Sequence, residues 1–321
     1  MTAITTLKSR QSTEIITPPD YGNFSVTQLH LMSLKSTGSR RTLTSIFNNI
    51  ARLFGANDHL SFDWLSMKPA DANVMIAVMM EKRELRPTTV NSYISALRAL
   101  FNTAYLNGLI EHETCQRMLS IKNVKATRVT RNRKLIKKEV VSKLIEYCES
   151  LKNASGTRDA AIISTLASCG LRRAELASLT LHNYMPEERS ICVIGKGNKE
   201  RVVPVSSSTI ERIERWIDFF RGNKEGYLFC RVRRHGFIGE EFTRPLSGNA
   251  IYDILKNRTS QLDSEQVRPH GLRRYCGTSL LNAGNDLVLV RDYLGHESIA
   301  TTQIYTEKDQ SQLHKAASIF D

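Results

Sequence analysis

The sequence predicts a mainly α-helical protein of two domains, with a small antiparallel β-sheet confined to the second. Three observations carry this. Apolar residues recur at three- and four-residue steps through the first part of the chain, with no strand-like alternation before residue 120. A cationic stretch without a single acidic residue, Lys122 to Lys138, then separates two periodic regions. Beyond it, two short β-branched runs flank a turn rich in Gly, Asn and Lys, with helical patterns on either side. At 321 residues there is room for two cores of ordinary size.

In chain order, residues 1–20 are rich in Thr and Ser, end near Pro18-Pro19 and read as a flexible lead-in. Leu43, Ile46, Phe47, Ile50 and Leu53 then share one helical face, and Gly55 stops the helix. Ala72 to Met80 is a second apolar helix. Pro87 opens a third, with Val90, Ile94, Leu97, Phe101 and Ala104 on one face and a stop near Gly108. Residues 21–120 are thus expected to form a helical bundle, and 121–138 a basic linker that tracks a phosphate backbone.

The second domain, 139–321, begins with an amphipathic helix from Glu139 to Leu151 and another near Arg158 to Ser168. Gly170 to Leu176 is a turn into a short helix. Ser190–Ile194 and Arg201–Val205 pair as a hairpin across 195–200. The chain is mostly helical from Glu211, with a helix starting near Gly248. Ser311 to Phe320 ends it with Leu313, Ala316, Ala317 and Phe320 at helical spacing.

Composition narrows the partners. Lys and Arg number 45 against 32 Asp and Glu, a formal charge of +13, which favours a polyanion such as nucleic acid but also fits an ordinary basic enzyme. Six cysteines, none in a C-x-x-C pair and most beside apolar residues, read as buried free thiols of a reducing compartment. The N-terminus lacks a signal-peptide core, and no apolar run reaches the roughly 20 residues that span a bilayer. A cytosolic protein is expected.

Four segments place cations or a proton carrier at a sharp turn: Gly170-Leu-Arg172-Arg-Ala-Glu175-Leu, Gly195-Lys196-Gly197, His270-Gly-Leu-Arg273, and Leu294-Gly-His296 with Tyr305 nine residues on. Singly, each has a plain alternative. Arg172 could be a surface residue, Lys196 a turn lysine, His270 a helix cap and Tyr305 a packing residue. In this order and spacing they resemble the tyrosine recombinases, the family of phage integrases, Xer chromosome-dimer resolvases and integron integrases. The motifs span roughly 139–310, and the helical region before them resembles, less specifically, that family's core-binding domain.

The resemblance implies a catalytic set of Arg172, Lys196, His270, Arg273, His296 and Tyr305, a 3′-phosphotyrosyl intermediate, double-stranded DNA with specific core sites as substrate, and a cyclic homotetramer, or a mixed tetramer with a paralogue, on that DNA. It also implies that Lys196 protonates the leaving 5′-oxygen and that the tail 311–320 passes to a neighbouring protomer; docking on its own domain is the alternative. Elementary chemistry agrees with the rest. Two guanidiniums match the nonbridging oxygens of a phosphodiester and stay charged at any working pH. A phenol of pKa about 10 needs a base or strong cationic surroundings, and the imidazole of His270, a group of near-neutral intrinsic pKa, is the candidate base. Glu175, one turn after Arg172, is expected to fix that arginine by an ion pair. No cofactor is expected: the ester stores the bond energy, no nucleotide-binding glycine motif is present, and no carboxylate cluster or His/Cys set is spaced for a metal. Arg40, Arg41, Lys199, Arg201 and Arg244 are candidates for phosphate contact, each equally readable as a solvated charge. Two other readings remain at this point: a type IB topoisomerase, and a DNA-binding regulator without catalysis.

Overall fold

Start and stop signals set the helices of the first unit. In the computed structural model, which describes residues 24–125, 135–195, 199–236, 238–262 and 265–296, the chain divides into two compact units between Arg131 and Asn132. Helix α1 (Val26–Ser33) starts where the Ser25 hydroxyl accepts from the Gln28 amide, and α2 (Thr37–Leu53) where Ser36 accepts from the Ser39 amide. Proline sets the first turn of both α3 (Pro69–Ala77) and α4 (Pro87–Leu106). A π-helical turn, Val78–Lys82, continues α3, and α5 (His112–Leu119) follows α4. Phe47, Ile50, Trp64, Met75, Ile94, Leu97 and Phe101 are buried together. Each fully buried aliphatic side chain of this kind contributes roughly 1.5–3 kcal/mol.

Residues 121–125 differ from the expected linker. Ile121 is buried in this first core, Val124 packs against it, and Asn91 holds Val124 by both main-chain groups (2.8 and 3.0 Å). Apolar side chains outweigh the neighbouring lysines there. On the far side, Ile136 packs on the second core just before α6 (Lys138–Ser150).

The second unit is built around α7 (Ala154–Cys169), which is buried over most of its length, Ile162, Ile163 and Leu166 included. It begins four residues earlier than the sequence pattern implies, because the Asn153 side chain caps it by accepting from the Gly156 amide. Helix α8 (Arg173–Ser178) follows, then a three-stranded antiparallel sheet in the order β1 (Tyr184–Met185), β2 (Ser190–Ile194), β3 (Glu200–Pro204). The register pairs Ile191 with Val203 and Val193 with Arg201. Helices α9 (Ser207–Trp216), α10 (Gly248–Thr259), α11 (Pro269–Asn282) and α12 (Leu287–Leu294) follow among the described residues. The fold is mainly α with a small antiparallel sheet.

The six cysteines are free thiols, five buried and Cys192 half-buried on the outward face of β2. Burial pushes the Cys148 and Cys276 thiols up to about 12. No helix among the described residues is long and apolar enough to cross a membrane.

Candidate active site

The candidate residues sit at helix ends, where the backbone is forced through tight turns. Helix α7 ends at Gly170, whose left-handed φ of +59° swings the chain into Leu171 and Arg172. A Cβ on Gly170 would come within 2.5 Å of Leu294 Cδ2 and 3.1 Å of Cys276 Sγ, so this turn is packed directly against α12 and α11. Helix α12 ends in the same manner at Gly295 (φ +65°), which delivers His296. Pro269 occupies the first turn of α11 and places His270 at its open end and Arg273 one turn further.

Main-chain carbonyls lock the two guanidiniums. Arg273 is only 4% exposed; its Nη1 donates to Gly170 O and its Nη2 to Leu294 O, both at 2.6 Å. It therefore bridges the ends of α7 and α12. Arg172, with 39% of its side chain exposed, donates from Nη2 to Gly295 O (2.7 Å) and from Nη1 to Glu175 Oε1 (2.6 Å). The Arg172 amide also donates to Glu175 Oε2 at 2.7 Å. The Arg172–Glu175 pair expected from their spacing is present.

Arg201 is not placed as a solvated charge. It turns inward from β3, 14% exposed, and covers both oxygens of Glu175 with its fork at 3.1 and 2.9 Å. The sequence carried a signal for this: strand alternation puts Arg201 on the same face as Val203 and Val205, which are buried. Burial alone would raise the Glu175 carboxyl, but the Arg201 and Arg172 donors win and hold it at about 2.

Arg172, His270, Arg273 and His296 line one cleft, together with Arg173 and Arg268, two cations that motif reading missed. The closeness of Arg173 to α10 depends on Gly248, where a Cβ would meet Arg173 Nε at 2.8 Å. His270 lies on the exposed side, whereas His296 is 9% exposed. Burial first, then the charges of Arg273, Arg172, Arg201 and His270, depress the His296 imidazole to about 4. At neutral pH it is an uncharged imidazole able to donate one hydrogen bond. The arrangement is a cationic, turn-walled recess suited to a dianionic transition state.

Lys196 and Tyr305 lie outside the described residues, as does Ser311 to Phe320; the flanks of Lys196 are joined where the Gly195 amide donates to Lys199 O at 2.8 Å. Lys199, Arg41 and Arg244 are exposed. Arg40 is also exposed, but its Nε donates to Leu34 O at 2.8 Å, so it closes the C-terminal end of α1.

Comparison with known proteins assigns the fold. Residues 134–312 match the Phage integrase family. The chain is 30% identical to the tyrosine recombinase XerD of Proteus mirabilis over 76% of its own length and 75% of that protein's. It is 32% identical to the XerC of Shewanella oneidensis (75% and 74%) and 30% identical to the XerD of Yersinia pestis (89% and 93%). The Tn1549 transposon integrase in complex with transposon right end DNA superposes with a TM-score of 0.65 at 18% identity, covering 92% of this chain and 100% of that one. XerH bound to a palindromic difH substrate, in its post-cleavage complex, gives 0.63 at 19% identity (92% and 94%). On the family match and on this identity over most of its length, the chain belongs to the phage integrase family of tyrosine site-specific recombinases.

Proposed function

We propose that this recombinase cleaves and rejoins duplex DNA at specific core sites by transferring a backbone phosphate to Tyr305 and back. The observation that carries the reading is the shared cleft of Arg172, His270, Arg273 and His296, with both guanidiniums locked by main-chain carbonyls. Arg172 and Arg273 balance the charge that develops on the nonbridging oxygens, and neutral His296 adds a hydrogen bond to one of them. His270, at the open side, accepts the Tyr305 proton; Lys196 protonates the departing 5′-oxygen. The phosphotyrosyl ester keeps the energy of the broken bond for the return step, so neither nucleotide nor metal is required by this chemistry.

Residues 21–120 act in this scheme as the core-site-binding domain and 139–321 as the catalytic one, joined by the basic stretch between them. Exposed Lys199, Arg41 and Arg244, with Arg173 and Arg268 at the cleft, are the candidates for phosphate contact. The working assembly is a tetramer on two DNA sites in the cytoplasm, homomeric or shared with a paralogue.

A nicked suicide substrate tests the central claim. The wild type is expected to give a DNA-linked protein band and Tyr305→Phe none; an equally strong band from the variant removes Tyr305 as the nucleophile. Lys196→Ala is expected to slow cleavage and to recover when the bridging 5′-oxygen is replaced by sulfur, a better leaving group. Supplying two target sites separates recombination from topoisomerase-like relaxation, since only a recombinase yields exchanged product.

A further inference from the structure

A buried carboxylate beside a phosphate-binding guanidinium creates a charge problem, and the arginine on β3 answers it. Glu175 takes a hydrogen bond from Arg172, and an isolated one-to-one pair would cancel the charge that Arg172 brings to a phosphate. Three cations share that carboxylate instead. Arg201 covers both oxygens, and Arg273 Nη1 stands 3.9 Å from Oε2. Three positive groups against one negative leave the cluster at +2, and removing Arg201 would leave +1.

Arg201 is built into this position. Strand alternation turns it inward with Val203 and Val205, and its guanidinium lies within 2.9 Å of where a Cβ on Gly295 would stand. Its Nε is buried without a hydrogen-bond partner among the described residues, so the hydrogen bonds of this guanidinium are concentrated on Glu175. A side chain committed in this way is poorly placed to serve DNA directly.

We propose that Arg201 is a positioning residue whose charge balances Glu175, leaving the Arg172 charge uncompensated for the scissile phosphate. The inference rests on the role given above to Arg172. Arg201 touches no reacting atom; it acts through the carboxylate.

Single-turnover cleavage of the nicked substrate at saturating DNA, with affinity titrated separately, tests this. Arg201→Gln is expected to slow formation of the covalent complex by about a hundredfold, the scale of losing one preorganised donor, here the Arg172 charge that Glu175 would then cancel, without weakening DNA binding. Adding Glu175→Gln returns the cluster from +1 to +2, and the double variant is expected to cleave about tenfold faster than Arg201→Gln alone. Arg201→Lys keeps the charge and is expected within about tenfold of wild type. Weaker DNA binding by Arg201→Gln with an unchanged saturating rate would make Arg201 a phosphate contact and overturn the proposal. So would a double variant no faster than the single one, which marks a packing role. If Arg201→Gln fails to melt cooperatively, Arg201→Lys decides: a loss beyond about tenfold overturns charge balance. Tyr305→Phe runs alongside, so that a covalent band from it sinks the nucleophile assignment separately from the role of Arg201.

Discussion

Gly295 combines a left-handed backbone with a guanidinium standing within 2.9 Å of where its Cβ would be, so any side chain there meets two penalties. Gly295→Ala is expected to cost about 1–3 kcal/mol in urea unfolding and to lower cleavage further by displacing Arg201 and the carbonyl that holds Arg172. His296 gives a second handle. Its folded pKa, about 4, lies below the ordinary 6.5, so the unfolded chain takes up the proton first. Stability from this group is complete above pH 6.5 and drains away as pH falls toward 4. Glu175, also depressed (from 4.5 to about 2), contributes stability above 4.5 that is lost as pH falls toward 2. Urea unfolding across pH is therefore expected to lose slope between 6.5 and 4 in His296→Gln, while keeping the lower branch. A wild-type profile flat over the upper window would contradict the burial of His296.

Among elements, the contact between α6 and α7 is close enough to probe with a single methyl group. A Cβ on Gly156 would come within 2.3 Å of Cys148 O and 2.8 Å of Leu151 Cβ, so Gly156→Ala is expected to destabilise by about 1–3 kcal/mol, read as a lower urea midpoint. The same residue shows where sequence reading stops. Ser155-Gly156-Thr157 looks like a loop by composition, yet it is the first turn of α7 because the Asn153 cap and close helix packing favour it. Long helices with repeated apolar faces, α2 and α4, were legible from Leu43 to Leu53 and from Val90 to Ala104. Eight-residue α1 and α5 and two-residue β1 were not, since so few residues show no period. In the site, Arg172, His270, Arg273 and His296 stood out because local turns carry them. The partner of Arg201 did not, because Glu175 is 26 residues away and meets it only through tertiary packing.

For the whole molecule, charge sets the behaviour. A net +13 predicts that DNA binding is dominated by phosphate neutralisation. Affinity is expected to fall by about a thousandfold or more between 50 and 200 mM salt, as for six to ten phosphate contacts; a nearly flat salt dependence in a titration would refute it. Cleavage itself, measured at saturating DNA, is expected to survive EDTA unchanged, because in the proposed mechanism guanidiniums take the part that divalent ions play in other phosphoryl transfers.

The anchors of the two site arginines include three peptide oxygens, those of Gly170, Leu294 and Gly295. Every amino acid brings such an oxygen, whatever its side chain. A substitution that keeps the path of the main chain therefore keeps these anchors, which the glycines at the two bends secure, whereas a single inserted residue at either bend would scatter them. What the two bends must preserve is length and backbone path.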